Sequence, residues 1–188
     1  FARTPFSVAF QAGWFKFKIC TVHIYYGKAS GAELTHRKRE IERIAGFLAR
    51  RQERERETLG DEANYVLLGD FNIDKRGDNP LFQAFVQTGL VVPAQLQNLK
   101  TTYATEPKYY DQIAWFMGDL DMLVGERAGV LDFTGAIYRE LTLRSMSYRV
   151  SDHFPLWVEF KSDRGFVEMA EVLGVDPTMP NPFDVVPD

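Results

Sequence analysis

One cysteine, three histidines and no long apolar run are the first constraints on this chain of 188 residues. Cys20 on its own can close no disulfide within the chain and can build no multi-thiolate metal site, so any cation here would sit on oxygen or imidazole ligands. Such ligands suit a hard cation. No apolar stretch approaches the roughly 18 residues that would suggest a membrane-spanning helix. A surplus of basic charge is also missing: 22 Lys and Arg stand against 26 Asp and Glu, a net charge of −4. That balance argues against a protein held tightly on nucleic acid and leaves a transient catalytic encounter open. Position 1 is not Met, and Phe1 to Phe6 has neither the charged head nor the apolar stretch of a signal peptide, so the start reads as a cut. Scarce cysteine favours the cytoplasm, with the cellular address otherwise open.

What is present is ordinary for a globular domain: 45% hydrophobic and 26% charged residues, in a length that supports one core. Aromatic and β-branched residues crowd into Phe6–Val8 and Trp14–Ile24, with Gly13 between them, which predicts a hairpin. In its second strand Phe15, Phe17, Ile19, Thr21 and His23 share one face. From Ala32 to about Glu57, Leu34, Ile41, Ile44, Ala45 and Leu48 recur at helical spacing, so a helix should lie on a sheet. Its basic residues, Arg37, Lys38, Arg39, Arg43, Arg50, Arg51, Arg54 and Arg56, are interleaved with glutamates and read as a solvated face rather than a DNA platform. Ala63–Leu68 is a short apolar run fit for a central strand. Asn79, Pro80 and Gly89 bracket a short helix over Pro80–Thr88. Further strands are expected at Tyr109–Phe116, Met122–Leu131 and His153–Phe160, and a last helix at Phe166–Leu173 before a Pro-rich tail. The reading is one domain over 1–165, with a terminal helix and tail over 166–188. Strands outnumber helices and come partly as hairpins, which argues for an α+β arrangement of mixed sheets covered by helices.

Three short motifs carry chemistry, each beside a hydrophobic strand. In Leu68-Gly69-Asp70-Phe71-Asn72 the glycine lets the backbone bend at the strand end, and Asp70 and Asn72, two apart, should point to one side. An Asp-x-Asn can also be no more than a turn closed by side chain to backbone hydrogen bonds. In Tyr109-Tyr110-Asp111-Gln112-Ile113 an acid interrupts an apolar strand, so Asp111 must face water, a cation or a histidine. In Ser151-Asp152-His153 a carboxylate adjoins an imidazole that titrates near neutrality. His23 closes an apolar strand ahead of a glycine-bearing loop. Arg3 and Arg149 could each clamp a phosphate through paired hydrogen bonds.

In this order, Gly-Asp-Phe-Asn, Tyr-Asp-Gln-Ile and Ser-Asp-His, with Val22-His23 and Arg3-Thr4-Pro5 upstream, the sequence resembles the endonuclease/exonuclease/phosphatase family in its deoxyribonuclease I-like branch. The resemblance runs from about Phe1 to Phe160. It implies a four-layer α/β sandwich, two mixed sheets face to face with helices outside and the active site at one end. It also implies Mg²⁺- or Mn²⁺-dependent hydrolysis of a phosphodiester, with DNA as substrate or, alternatively, an inositol phosphate, a phospholipid or another small phosphoester. A catalytically inactive binding domain is the third possibility. By the same resemblance Asp70 and Asn72 handle the attacking water and the scissile phosphate, and Asp111 orients His153, which contacts the phosphate or takes a proton. Asp152 and Asp70 lie near the metal. His23 matches the second histidine of the branch, and Arg3 and Arg149 stand as phosphate contacts.

Family members carry an Asn and then a metal-binding Glu nearer the amino terminus, and this sequence begins after the point where both would occur. Truncation is the expected reason, with weak metal affinity and little turnover for the chain as it stands. One sheet should be short, leaving an unpaired strand edge and hence a tendency to self-associate.

Overall fold

A hairpin founds the larger sheet. β1 (Phe6–Ala12) pairs antiparallel with β2 (Phe15–His23), Val8 opposite Ile19 and Phe10 opposite Phe17. The computed structural model describes residues 1–12, 15–59, 64–103, 106–118, 120, 124–161, 165, 169 and 172–174. The turn expected at Gly13 lies outside them, as does most of the last helix and all of the Pro-rich tail. β2 continues into α1 (Gly31–Leu59), which returns the chain to β3 (Tyr65–Asp70), parallel to β2. The remaining elements are α2 (Pro80–Val86), β4 (Leu90–Val91), a 3₁₀ turn at Ala94–Leu96, β5 (Asp111–Phe116), β6 (Val124–Val130), α3 (Leu143–Arg149) and β7 (Leu156–Phe160). One sheet runs β1-β2-β3-β5-β4 with both parallel and antiparallel pairs; the other is the antiparallel pair β6-β7.

The two faces of the large sheet have different partners. Cys20 and Val22 of β2 and Tyr65 and Leu67 of β3 are buried together with Ile41, Ile44, Ala45 and Leu48 of α1. Burying each large aliphatic side chain contributes about 1.5–3 kcal/mol, so this seam holds the 29-residue helix despite its many charges. The opposite face, with Ile19, Val66, Leu68 and Ile113, looks toward Leu156, Val158 and Phe160 of the second sheet. Trp115 and Phe160 meet edge to face, centroids 5.1 Å apart.

Several bounds differ from the sequence reading for local reasons. α2 begins as expected, its first turn capped by Asn79 Oδ1, which accepts from the backbone N–H of Leu81 at 2.9 Å and of Phe82 at 3.4 Å, but it ends at Val86. The strand expected from His153 starts only at Leu156, since His153 is spent on an isolated bridge to Thr102. α3 was not legible: only Met146 of its residues is buried, so it shows no apolar stripe. Arg37 does not belong to a solvated face. Its side chain has no exposed surface and its guanidinium lies over the Tyr26 ring at 4.4 Å.

Candidate active site

Register places the motif residues. His23 ends β2 opposite Asp70, and Asp70 ends β3 opposite Asp111, the first residue of β5. The three therefore form a row across neighbouring strands at one end of the sheet, on the face that looks toward the second sheet. Two carboxylates directly opposite one another repel, and here a histidine flanks each of them. His23 Nε2 lies 3.4 Å from Asp70 Oδ2, and His153 Nδ1 lies 2.7 Å from Asp111 Oδ2. The sequence order of charge across the site is imidazole, carboxylate, carboxylate, imidazole.

Gly69 makes the row possible. Its φ is +138°, and a Cβ there would stand 2.0 Å from the carbonyl oxygen of Val22. The glycine is thus needed for close approach of β2 and β3 within the pair, where the sequence suggested only a bend at a strand end; β3 continues through it to Asp70. Beyond Asp70, the N–H of Ile24 donates to the Asp70 carbonyl and that of Phe71 to the Tyr110 carbonyl, both at 2.8 Å. Phe71 and Ile73 are fully buried, Phe71 packing on Phe85 at 4.6 Å. These anchors hold the loop so that the row does not drift.

Asn72 departs from the alternation expected of it. Its φ of +52° is left-handed, its N–H donates to Asp70 Oδ1 at 2.8 Å, and its side-chain amide donates to the carbonyl of Ile24 at 2.7 Å. The turn reading of Asp-x-Asn is realised, and Asp70 accepts from Asn72 with one oxygen while the other faces His23. Asn72 is buried and ties the end of β3 to the residue after His23.

His153 reaches Asp111 from the far sheet because two threonines bring the segments together. Phe154 N–H donates to the Thr101 carbonyl at 2.7 Å, Asp111 N–H donates to Thr101 Oγ1 at 3.1 Å, and Thr102 bridges His153. Ser151 Oγ accepts from the His153 N–H at 2.9 Å, and the Tyr103 hydroxyl donates to the Ser151 carbonyl. Phe154 packs with Tyr103 and Phe133 at 5.0 and 5.6 Å. Thr101 and Thr102 are buried and were missed in the sequence, where two adjacent threonines carry no periodicity and no motif.

The environment sets the charges. Burial, reinforced by Asp111, raises the Asp70 carboxyl above the ordinary range against the Asn72 hydrogen bond and the two imidazoles. The hydrogen bond that His153 donates to Asp111 raises its pKa above the ordinary histidine value, with Asp70 and Asp152 adding to it and burial opposing. A cleft of about 490 Å³ opens here, lined among others by Gly69, Asp111, Phe133, Ser151, His153 and Leu156. A larger groove of about 660 Å³ lies on the other face of the sheet, between α1 and β1, and holds none of the motif residues. Asp152 is exposed beside His153. Arg3 is exposed over the Tyr25 ring at 5.9 Å, and Arg149 is exposed in the last turn of α3, one residue before Val150 of the cleft. The structure brings together His23, Asp70, Asn72, Asp111 and His153, and leaves the two arginines outside that hydrogen-bonded set.

No protein-family model and no curated protein matches this sequence. Solved structures do match it in shape. An AP endonuclease from Archaeoglobus fulgidus superposes with a TM-score of 0.55 at 14% identity, over 82% of this chain and 64% of that one. A mannosyl-6-phosphatase from Bacteroides thetaiotaomicron gives 0.52 at 21%, over 82% and 55%. The chain has a deoxyribonuclease I-like fold. A beta toxin from Staphylococcus aureus with bound magnesium ions has the same arrangement, TM-score 0.51 at 15% identity, over 81% and 56%. This chain thus spans between about half and two thirds of the length of these structures. The two sheets and the helices α1 and α2 are described; the last helix expected at Phe166–Leu173 falls largely outside the described residues.

A magnesium ion needs several oxygen ligands at once. Among the described residues no group of three or more His, Cys, Asp or Glu side chains is arranged to hold a metal ion. Asp70 and Asp152 therefore do not by themselves complete the cation site that the resemblance implied.

Proposed function

We propose that this chain carries the acid–base end of a phosphoester hydrolase, acting by in-line attack of water on phosphorus, with DNA as its substrate. The observation that carries this reading is the row His23, Asp70, Asp111 with His153 bonded to Asp111 at 2.7 Å. A histidine oriented by a carboxylate keeps its proton to higher pH and can hold a phosphoryl oxygen or supply a proton to a leaving alkoxide. Asp70, held by Asn72 and faced by His23, is placed to accept a proton from an attacking water. Arg3 and Arg149, at the margin, would meet flanking phosphates, and Asp152 would stand with Asp70 as the chain's share of a Mg²⁺ or Mn²⁺ site.

The net charge of −4 favours a second reading of substrate, a small phosphoester in place of DNA. The likeness to a mannosyl-6-phosphatase fold is in keeping with it. The test is hydrolysis by the full-length protein, with Mg²⁺ or Mn²⁺ supplied, of plasmid DNA and of a phosphorylated inositol in parallel. Turnover of the plasmid supports the nuclease reading, and turnover of the inositol ester alone transfers it to the second. His153→Gln and Asp111→Asn should lower either rate by about 10²-fold or more. No hydrolysis of either substrate by the wild type, or full activity in both variants, overturns the proposal.

A further inference from the structure

Behind His153 lies a polar and aromatic chain that neither the motifs nor the catalytic row accounts for. Tyr110, immediately before Asp111, sets its ring 5.8 Å from the His153 imidazole, centroid to centroid, at 40°. The Tyr110 and Tyr26 rings are 6.1 Å apart, and Asp74 lies near enough to the Tyr110 phenol to act on it electrostatically. Asp74 Oδ2 in turn lies 3.7 Å from Arg37 Nη2. Arg37 is the buried cation of α1, and Nε, Nη1 and Nη2 have no hydrogen-bond partner among the described residues. A buried guanidinium in that state depends on its neighbouring carboxylate and on the face of the Tyr26 ring, 4.4 Å away, to offset its charge. Asp74 therefore cannot swing toward solvent without stranding Arg37, and the Tyr26 ring, with Arg37 over it, stands against the Tyr110 ring.

A hydrogen bond to one ring nitrogen fixes a point on an imidazole and leaves the ring free to pivot about it. A second contact, against the face or edge of the ring, fixes its plane. We propose that Tyr110 is the positioning residue that sets the plane of His153, and that the Tyr26 ring, itself under the Arg37 guanidinium of α1, backs Tyr110 in that place. The long helix is thereby coupled to the active-site row through one inward cation. Burial, followed by Asp74 and Tyr26, pushes the Tyr110 phenol well above the ordinary tyrosine range. The hydroxyl keeps its proton. The catalytic meaning of this device rests on the hydrolase reading above; the geometric claim does not.

The experiment reads the His153 Nδ1 proton directly, as a downfield resonance in protein labelled with ¹⁵N-histidine, identified by its loss in Asp111→Asn. Tyr110→Ala should remove that resonance through solvent exchange, with Tyr110→Leu as the volume-keeping variant should the alanine variant not fold. Tyr110→Phe keeps the ring and should keep the signal, whereas Tyr26→Leu removes the ring behind Tyr110 and should broaden it, and the double variant Tyr110→Leu with Tyr26→Leu should be no worse than Tyr110→Leu. In the hydrolysis assay kcat should fall about tenfold to hundredfold in Tyr110→Leu with KM changed little, as expected for misplacement of a reacting group. An unchanged resonance in folded Tyr110→Leu, or additive effects of Tyr110→Leu and Tyr26→Leu, overturns the proposal. Loss of the resonance in a protein whose wild type hydrolyses neither substrate would refute the hydrolase reading and leave the positioning intact; hydrolysis with an unchanged resonance would do the reverse.

Discussion

Replacing Gly69 by alanine tests the register on which the site depends. The new Cβ would lie 2.0 Å from the Val22 carbonyl oxygen and 3.0 Å from the Val22 N and C atoms, where ordinary contact begins at 3.4 Å. Those are backbone atoms, so no side chain can turn aside. β2 is paired on both edges, by β1 and by β3, and cannot move alone. The strands must separate by more than about 1 Å, or the backbone must leave φ +138°. Strain at a glycine-only φ costs about 1–3 kcal/mol, and overpacking in a closed interior about 1–3 more. Together they amount to roughly 2–6 kcal/mol out of a total stability of about 5–15. With a urea slope of about 1–3 kcal/mol/M, the unfolding midpoint should fall by about 2 M. Fluorescence of Trp115, which lies on β5 against the second sheet, is a suitable probe. A midpoint within about 0.3 M of wild type would refute the argument, since the strands would then have room that the register denies them.

Three further outcomes follow from the same geometry. Glu55 accepts from Lys18, from the Tyr65 hydroxyl at 2.6 Å and from Arg51 at 3.1 Å; burial opposes its ionisation, but these bonds outweigh it and lower its pKa from 4.5 to about 2. A depressed carboxylate stabilises above its unfolded value and loses that contribution as pH falls from about 4.5 toward 2, so Glu55→Gln should cost up to about 3 kcal/mol at pH 6 and little at pH 2, in urea titrations at both. Asn79→Ala should cost about 1 kcal/mol by removing the cap of α2, and Asn79→Ser should restore most of it, read by thermal unfolding. β1 is a sheet edge among the described residues, carries no charged residue between Phe6 and Ala12, and leaves Phe6 and Phe10 exposed. Apparent mass on size exclusion should rise with concentration and fall back in Phe10→Lys; a monomer throughout would count against an adhesive edge.

The hairpin, the long helix and the central strand were legible because each carries its period in the sequence. Phe15, Phe17 and Ile19 alternate with Lys16, Lys18 and the buried Cys20, and Ile41, Ile44, Ala45 and Leu48 recur at the helical interval. α3 and the late start of β7 were not legible, since one buried residue in Met146 makes no pattern and His153 is diverted into a bridge. Among the site residues, Asp70, Asp111 and His153 could be picked out as polar groups at the ends of apolar strands, where burial without a partner would be costly.

The sequence by itself determined which carboxylates and imidazoles stand at strand ends, because alternation and turn residues are local properties of the chain. Only the tertiary structure decided that they meet. Strand register set Asp70 between His23 and Asp111, and Thr101 and Thr102 carried His153 across 42 residues to Asp111. It also reversed the local reading of Arg37, a charge in a run of charges, which lies inside because Asp74 and Tyr26 are there to receive it. Pairing and burial are made between segments distant in the chain, and no local pattern encodes the partner.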